Sequence, residues 1–230
     1  PTGFWNEMNT NDVIQEIYQK IGKKYSGTQM VGFNEITKPG DAGNPIAMFL
    51  GIINYFDKKH NAHGFGLRNF SVRGHIHFRS MKIPGSKVYN HVITNKPHII
   101  IIPIIDNTDS DQQKGITQQN GKLYGNDKKY AMVKDFKKQK KYTFTDSSGK
   151  KMEYTLDSVG IRDVNQGHIC ALLTLNKKDY MFDGENQTNI YRKDWKKLLN
   201  RDEDFKITSR ITEKYNFTKS YQCLIYFRSK

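Results

Sequence analysis

Cysteine is almost missing from this chain: its 230 residues include two, Cys170 and Cys223. Two thiols build neither a disulfide scaffold nor a cysteine-based zinc site, and their scarcity points to a reducing compartment. Long apolar runs are missing too. No stretch reaches the roughly 18 residues of a membrane-spanning helix, so no membrane partner is expected. The first residues, PTGFWNEMNTND, hold neither a basic n-region nor an apolar h-region. A soluble, intracellular chain, cytoplasmic or nuclear, is the expectation. Acidic residues are the minority charge, with 23 Asp and Glu against 37 Lys and Arg and a formal charge of +14. That balance suits an acidic partner or a nucleic-acid-rich assembly without choosing between them. No linker-like stretch divides the sequence, and 1–230 is taken as a single domain with 1–30 as a helical extension.

What is present has a direction along the chain. DVIQEIYQKI, residues 12–21, places Val13, Ile14, Ile17, Tyr18 and Ile21 on one helical face, with Asn11 or Asp12 as cap. A loop rich in Gly, Pro and Asp leads to a second helix over about 46–59, apolar on nearly every side and therefore expected to be buried. Beyond residue 64 the period changes. NFSVRGHIHFRS alternates, HIIIIPIID is the β-branched run of a strand covered on both faces, and 107–129 is polar and Gly-punctuated, a long surface loop. Strands are expected at KYTFTD, KMEYTLDSVGIR, HICALLTLN, KDYMFDG and YQCLIYFRS, with one short helix at 193–200. The fold class is α+β, with helices first and a sheet of five or six antiparallel strands after.

The chemistry concentrates in GHICALLTLNKKDYMFDGEN. A turn at Asn176 to Lys178 folds this stretch into a hairpin, which brings His168 beside Asp183. An imidazole beside a carboxylate is the base-and-orienter pair of a catalytic triad: the acid fixes the tautomer and steadies the imidazolium. The plainer alternative is a strand-end histidine next to an Asp that opens the following turn.

Four segments in order resemble the ubiquitin-specific proteases, papain-like cysteine deubiquitinases. Asp41-Ala42-Gly43-Asn44-Pro45-Ile46-Ala47-Met48 is similar to the box that opens the family's buried helix and holds its cysteine. Lys96-Pro97 runs into an apolar strand. Gly167-His168-Ile169 and Asp179-Tyr180-Met181-Phe182-Asp183-Gly184 are similar to the second box, and Tyr221 to Phe227 to the closing strand. The resemblance covers about 31–228 and implies a papain-like cysteine protease fold, an early buried helix packed on an antiparallel sheet, with ubiquitin or a ubiquitin-like protein as partner. The family's paired Cys-x-x-Cys zinc motifs are absent. No metal and no cofactor is expected.

The nucleophile is absent as well. Aligned through Gly43-Asn44, the cysteine position is Ile46 and Asp41 stands near the oxyanion position; aligned through the later helix, with Asn54 and Phe56 matched, the position is Ala47. Either way no thiolate stands beside His168, and acyl transfer by this route requires one. An Asp41 at the oxyanion position would add negative charge where negative charge develops, and Asn44 lies close by. Cys170 shares a strand face with His168 but has no helix N-terminus to acidify it, and Cys223 sits in an apolar strand.

Other clusters carry less. His60 with His63 and His75 with His77 lack the ligands to complete a tetrahedral site. A reversed arrangement, with His98 or His75 serving Cys170, lacks the Gln that such proteases carry. The basic run KDFKKQKKY offers Lys137, Lys138, Lys140 and Lys141 to phosphates, or equally guards a strand edge. Near Trp195, the lysines are expected to face water while Trp195, Leu198 and Leu199 face the core. The reading is a degenerate, protease-shaped domain, inactive as it stands, that binds or scaffolds. The alternatives are an active thiol protease or deubiquitinase whose cysteine is replaced at Ala47, and a basic structural protein on nucleic acid.

Overall fold

In the computed structural model, residues 10–25, 81–105, 131–132, 137–165, 167–184 and 190–229 are described. The chain divides into two compact units, Pro1–Leu67 with Ser110–Asp127 and Arg68–Asp109 with Lys128–Lys230. The expected helix at 46–59, the strand at 69–80 and the loop at 107–129 lie outside the described residues.

The first unit contributes helix α1, Asp12–Tyr25. It starts there because Asn11 caps it: the side-chain oxygen accepts the N–H groups of Val13 and Ile14, both at 3.1 Å. Two of the donors that a helix start leaves open are thereby satisfied. Tyr18 is buried on the expected apolar face, whereas Val13, in the helix's first turn, is half exposed.

Among its described residues, the second unit holds a mixed sheet of eight strands: β1 Ile99–Ile105, β2 Ala131–Met132, β3 Lys141–Thr145, β4 Lys151–Arg162, β5 Ile169–Leu175, β6 Lys178–Phe182, β7 Tyr191–Arg192 and β8 Gln222–Arg228. Their order is β2-β1-β8-β4-β5-β6-β7, with β3 also on β4. Every pairing is antiparallel except β1 with β2. The expectation of five or six antiparallel strands is thus corrected, among the described residues, to eight with one pair parallel, because two-residue strands such as β2 and β7 carry no periodic signal.

β4 organises this unit. It spans 12 residues, and one of its edges pairs with β8 through most of its length. The other edge takes β3 along Lys151–Thr155 and β5 along Val159–Arg162. Between those partners the register shifts at Leu156/Ser158. Such a bulge bends the strand and lets the inward face resume at Val159.

The core is the layer under β1, β8 and β4. Ile100, Ile102, Ile104, Tyr154, Leu156, Leu224 and Tyr226 are fully buried on it, and Ile99 and Ile101 on the other face of β1 are buried as well. The β-branched run is therefore covered on both faces, as its composition predicts. Truncating any one of these to Ala costs about 2–5 kcal/mol.

A helix that periodicity does not reveal, α2 over Lys87–Asn95, packs Val88 and Val92 into this core. Ser86 caps it by accepting the Tyr89 N–H, and it ends at Lys96 in left-handed geometry (φ 45°) just before Pro97. The short helix expected at 193–200 shrinks to one 3-10 turn, Trp195–Lys197. Asp194 makes no cap bond; its carboxylate goes instead to Lys197 Nζ at 2.5 Å. Trp195 is fully buried, stacks 6.3 Å from Phe217 and donates its indole N–H to Leu173 O at 3.1 Å.

Candidate functional site

The site lies where the β4–β5–β6 meander ends. β5 and β6 pair from Leu175↔Lys178 to Ala171↔Phe182. The link between them is two residues, Asn176 and Lys177, both at positive φ (50° and 62°), the backbone twist that a tight hairpin demands. Carrying the register one step further puts Asp183 across from Cys170, and His168, two residues before Cys170, on the same face. A long side chain reaches across such a diagonal. His168 Nε2 and Asp183 Oδ1 are 2.8 Å apart. Asp183 is completely buried and the His168 side chain is 15% exposed. One partner is locked inside and the other reaches toward solvent.

A second carboxylate holds the histidine from its backbone side. Asp163, at the end of β4, is buried. Its Oδ1 accepts the His168 N–H at 2.7 Å and its Oδ2 the Asn165 N–H at 3.0 Å. Its own N–H donates to His168 O at 2.8 Å. No sequence pattern singles out Asp163, because an Asp between two strands is an ordinary turn residue. The observed register places it: Arg162 pairs with Ile169, so Asp163 falls opposite His168.

Behind the pair lie Cys170 and Tyr215, both buried. Burial pushes the Cys170 thiol well above its ordinary range; the neighbouring Tyr215 hydroxyl pulls it back slightly, and the negative charges of Asp183 and Asp163 raise it again. Tyr215 is likewise pushed far up, by burial first and by the Cys170 and Asp183 charges next. Cys223 is buried in β8, and desolvation raises its thiol to about 12. Neither thiol is available as a thiolate near neutral pH.

The remaining candidates separate. Asp41, Asn44, Ile46 and Ala47, and the pairs His60/His63 and His75/His77, lie outside the described residues. His98 precedes β1 beside Arg228, its Nδ1 3.1 Å from the guanidinium. The row through Cys170, Ile161 and Gln222 meets β1 at Ile104, six residues and roughly 20 Å along the strand from His98. The reversed arrangement is therefore not assembled through His98, and His75, its other candidate base, lies outside the described residues.

The basic run does not present one charged face. Lys137, Lys140 and Lys141 are exposed, and Lys141 pairs with Glu153 at 2.9 Å. Lys138 is buried, which lowers its pKa to about 8, and its backbone N–H and C=O are held by the Asn200 amide at 2.8 and 2.9 Å. Lys138 lies outside β3, and its burial goes with the backbone clamp of Asn200 rather than with strand alternation. Near Trp195, Lys196 does not face water: its Nζ reaches Thr174 Oγ1 at 2.5 Å and Asp179 Oδ1 at 3.4 Å. Among the described residues no His, Cys, Asp and Glu side chains gather into a group able to hold a metal ion, and no helix is long and apolar enough to cross a membrane.

No family model matches the chain, and no curated protein matches it.

Proposed function

We propose that this chain is a degenerate thiol-protease-like domain of the ubiquitin-specific protease kind, papain-like in fold, which keeps the imidazole–carboxylate pair, lacks the nucleophile and works by binding or scaffolding. One observation carries the reading: His168 Nε2 lies 2.8 Å from an Asp183 carboxylate with no exposed surface. A carboxylate so placed fixes which ring nitrogen carries the proton, and it leaves Nδ1 as the nitrogen that would address a nucleophile. The chain's two cysteines are both buried and shifted upward, which supports the absence of a thiolate from any source in the chain. Without one, the base-and-orienter pair has nothing to deprotonate and acyl transfer does not proceed.

The proposed partner is ubiquitin or a ubiquitin-like protein, in an intracellular, cytoplasmic or nuclear setting, and the +14 charge suits an acidic partner within a larger assembly. The test uses an electrophilic probe made from ubiquitin and three forms of the full chain: native, Ile46→Cys and Ala47→Cys. On this reading the native chain binds unmodified ubiquitin and none of the three forms a covalent adduct. Labelling of Ala47→Cys that disappears with His168→Ala would overturn it in favour of an active thiol protease whose cysteine is replaced at 47. Loss of ubiquitin binding in the native chain would remove the partner.

A further inference from the structure

Asp163 and His168 occupy the position where the β4–β5 ladder would make its next rung, one step beyond Arg162↔Ile169. In an antiparallel pair, facing residues of a bonded rung exchange two N–H···O=C bonds. Here one of the two is an ordinary backbone bond, from Asp163 N–H to His168 O at 2.8 Å. The other is replaced: the His168 N–H donates to the carboxylate Oδ1 of Asp163 at 2.7 Å instead of to its carbonyl. The second oxygen, Oδ2, ties Asn165 N–H at 3.0 Å, and Val164 N–H is anchored separately to Lys214 O at 2.8 Å. Both backbone groups of His168 are therefore held by one buried residue.

The consequence reaches the ring. With its backbone held on both sides, His168 has two side-chain torsions left, and its Cβ direction is set by the rung. That direction points along the diagonal to Asp183. An imidazole must be held within about half an ångström of its bonding position against the carboxylate for the pair to hold one tautomer.

We propose that Asp163 is a positioning residue for the His168–Asp183 pair, acting on the ring through the backbone of His168 and touching neither a reacting atom nor a substrate. This rests on the reading of that pair as the site, but it is tested on a different observable. The comparison residue is Asp146, which closes the other link of β4 with similar bonds and holds no functional side chain.

The measurement is proton exchange at the His168 ring N–H in the full-length, uniformly 15N-labelled chain, with the resonance assigned by its loss in His168→Gln. The Trp195 indole N–H, bonded to Leu173 O of the same strand, reports general opening of β5. Asp163→Ala is expected to speed exchange of the His168 ring proton at least about tenfold more than that of the Trp195 indole, while Asp146→Ala changes their ratio by less than about twofold. Asp163→Asn keeps one acceptor oxygen for the His168 N–H and turns its NH2 toward Asn165, so it falls between. It is also the variant read if Asp163→Ala does not fold. Equal acceleration at both protons in Asp163→Ala, or a native ratio in Asp163→Asn, would overturn the proposal and reduce Asp163 to a turn closer. Neither result bears on ubiquitin labelling, so the two readings fail separately.

Discussion

β4 is entered and left through links closed by the same chemistry. Before it, Asp146 donates its N–H to Lys150 O at 3.0 Å, and its carboxylate takes the N–H groups of Ser148 and Lys150 at 3.0 and 2.9 Å. After it, Asp163 donates to His168 O at 2.8 Å, and its carboxylate takes the N–H groups of Asn165 and His168 at 3.0 and 2.7 Å. The surroundings differ. The side chain that closes the first link, Lys150, is exposed; the one that closes the second meets a fully buried acid. A turn motif therefore sets a local shape, and the sheet around it sets what that shape is for. In water each such bond replaces one to solvent and contributes little, whereas a buried donor stripped of its acceptor loses its full desolvation energy.

The largest effect should separate the two closing side chains. His168→Ala leaves the buried Asp183 carboxylate without its imidazole and is expected to destabilise the fold by about 3 kcal/mol in urea unfolding. Lys150→Ala, at the same place in the other link, should stay within about 0.5 kcal/mol. Equal losses would break the comparison. Next come the acids themselves. Asp163→Ala strands the N–H groups of Asn165 and His168 and should cost about 2 kcal/mol. Asp146→Ala, whose donors turn to water, should move the urea midpoint less.

How much of this was legible depends on which physical signal each feature sends. Strands β3, β4, β5, β6, β8 and β1 announce themselves by alternation or by β-branched runs, and their observed ends fall within two residues of the expected ones. The α+β class follows from them. The His168–Asp183 contact was legible for the same reason: two strand-like runs with a turn between them set His168 and Asp183 on adjacent antiparallel strands. Helix α2 was not, because KVYNHVITN is rich in β-branched residues and imitates a strand; its only signals were the capping Ser86 and the Lys96-Pro97 stop. Lys138 was misplaced because its burial comes with a clamp from Asn200, 62 residues further along the chain, which a run read by charge does not contain. Asp163 was invisible because what distinguishes it from Asp146 is burial, a property of the assembled sheet and not of the turn sequence.

A smaller pair of effects sharpens the same contrast through glycine. Gly149 in the exposed link sits at φ 81°, where a Cβ is strained whatever room surrounds it. Gly149→Ala should cost about 1 kcal/mol. Gly167, in the Gly-His pair that draws the eye in the sequence, has no such backbone, and a Cβ added there would meet nothing within 4 Å. Gly167→Ala is expected within about 0.5 kcal/mol of native, by the same urea titration.

The smallest effect concerns protons at the exposed link. Asp146 is held below the ordinary carboxylate range, first by the Ser148 hydroxyl at 2.6 Å, with desolvation opposing it and the backbone N–H groups of Lys150 and Ser148 adding to the lowering. A folded value below the unfolded one means that the unfolded chain binds more protons between the two, so stability rises with pH across that window. The contribution is complete above the unfolded carboxylate value, about 3.9, and is lost as pH falls through the folded one. Asp194 and Asp202 are depressed by their lysine partners and act in the same sense, while burial raises Asp157 and makes it act in the opposite one. Urea midpoints measured down through the acid range should therefore fall less steeply in Asp146→Ala than in the native chain, with the two curves differing by a constant above the window. Parallel curves through the whole range would mean that the Asp146 carboxylate holds its link no better charged than neutral, and the likeness between the two ends of β4 would then be one of shape alone.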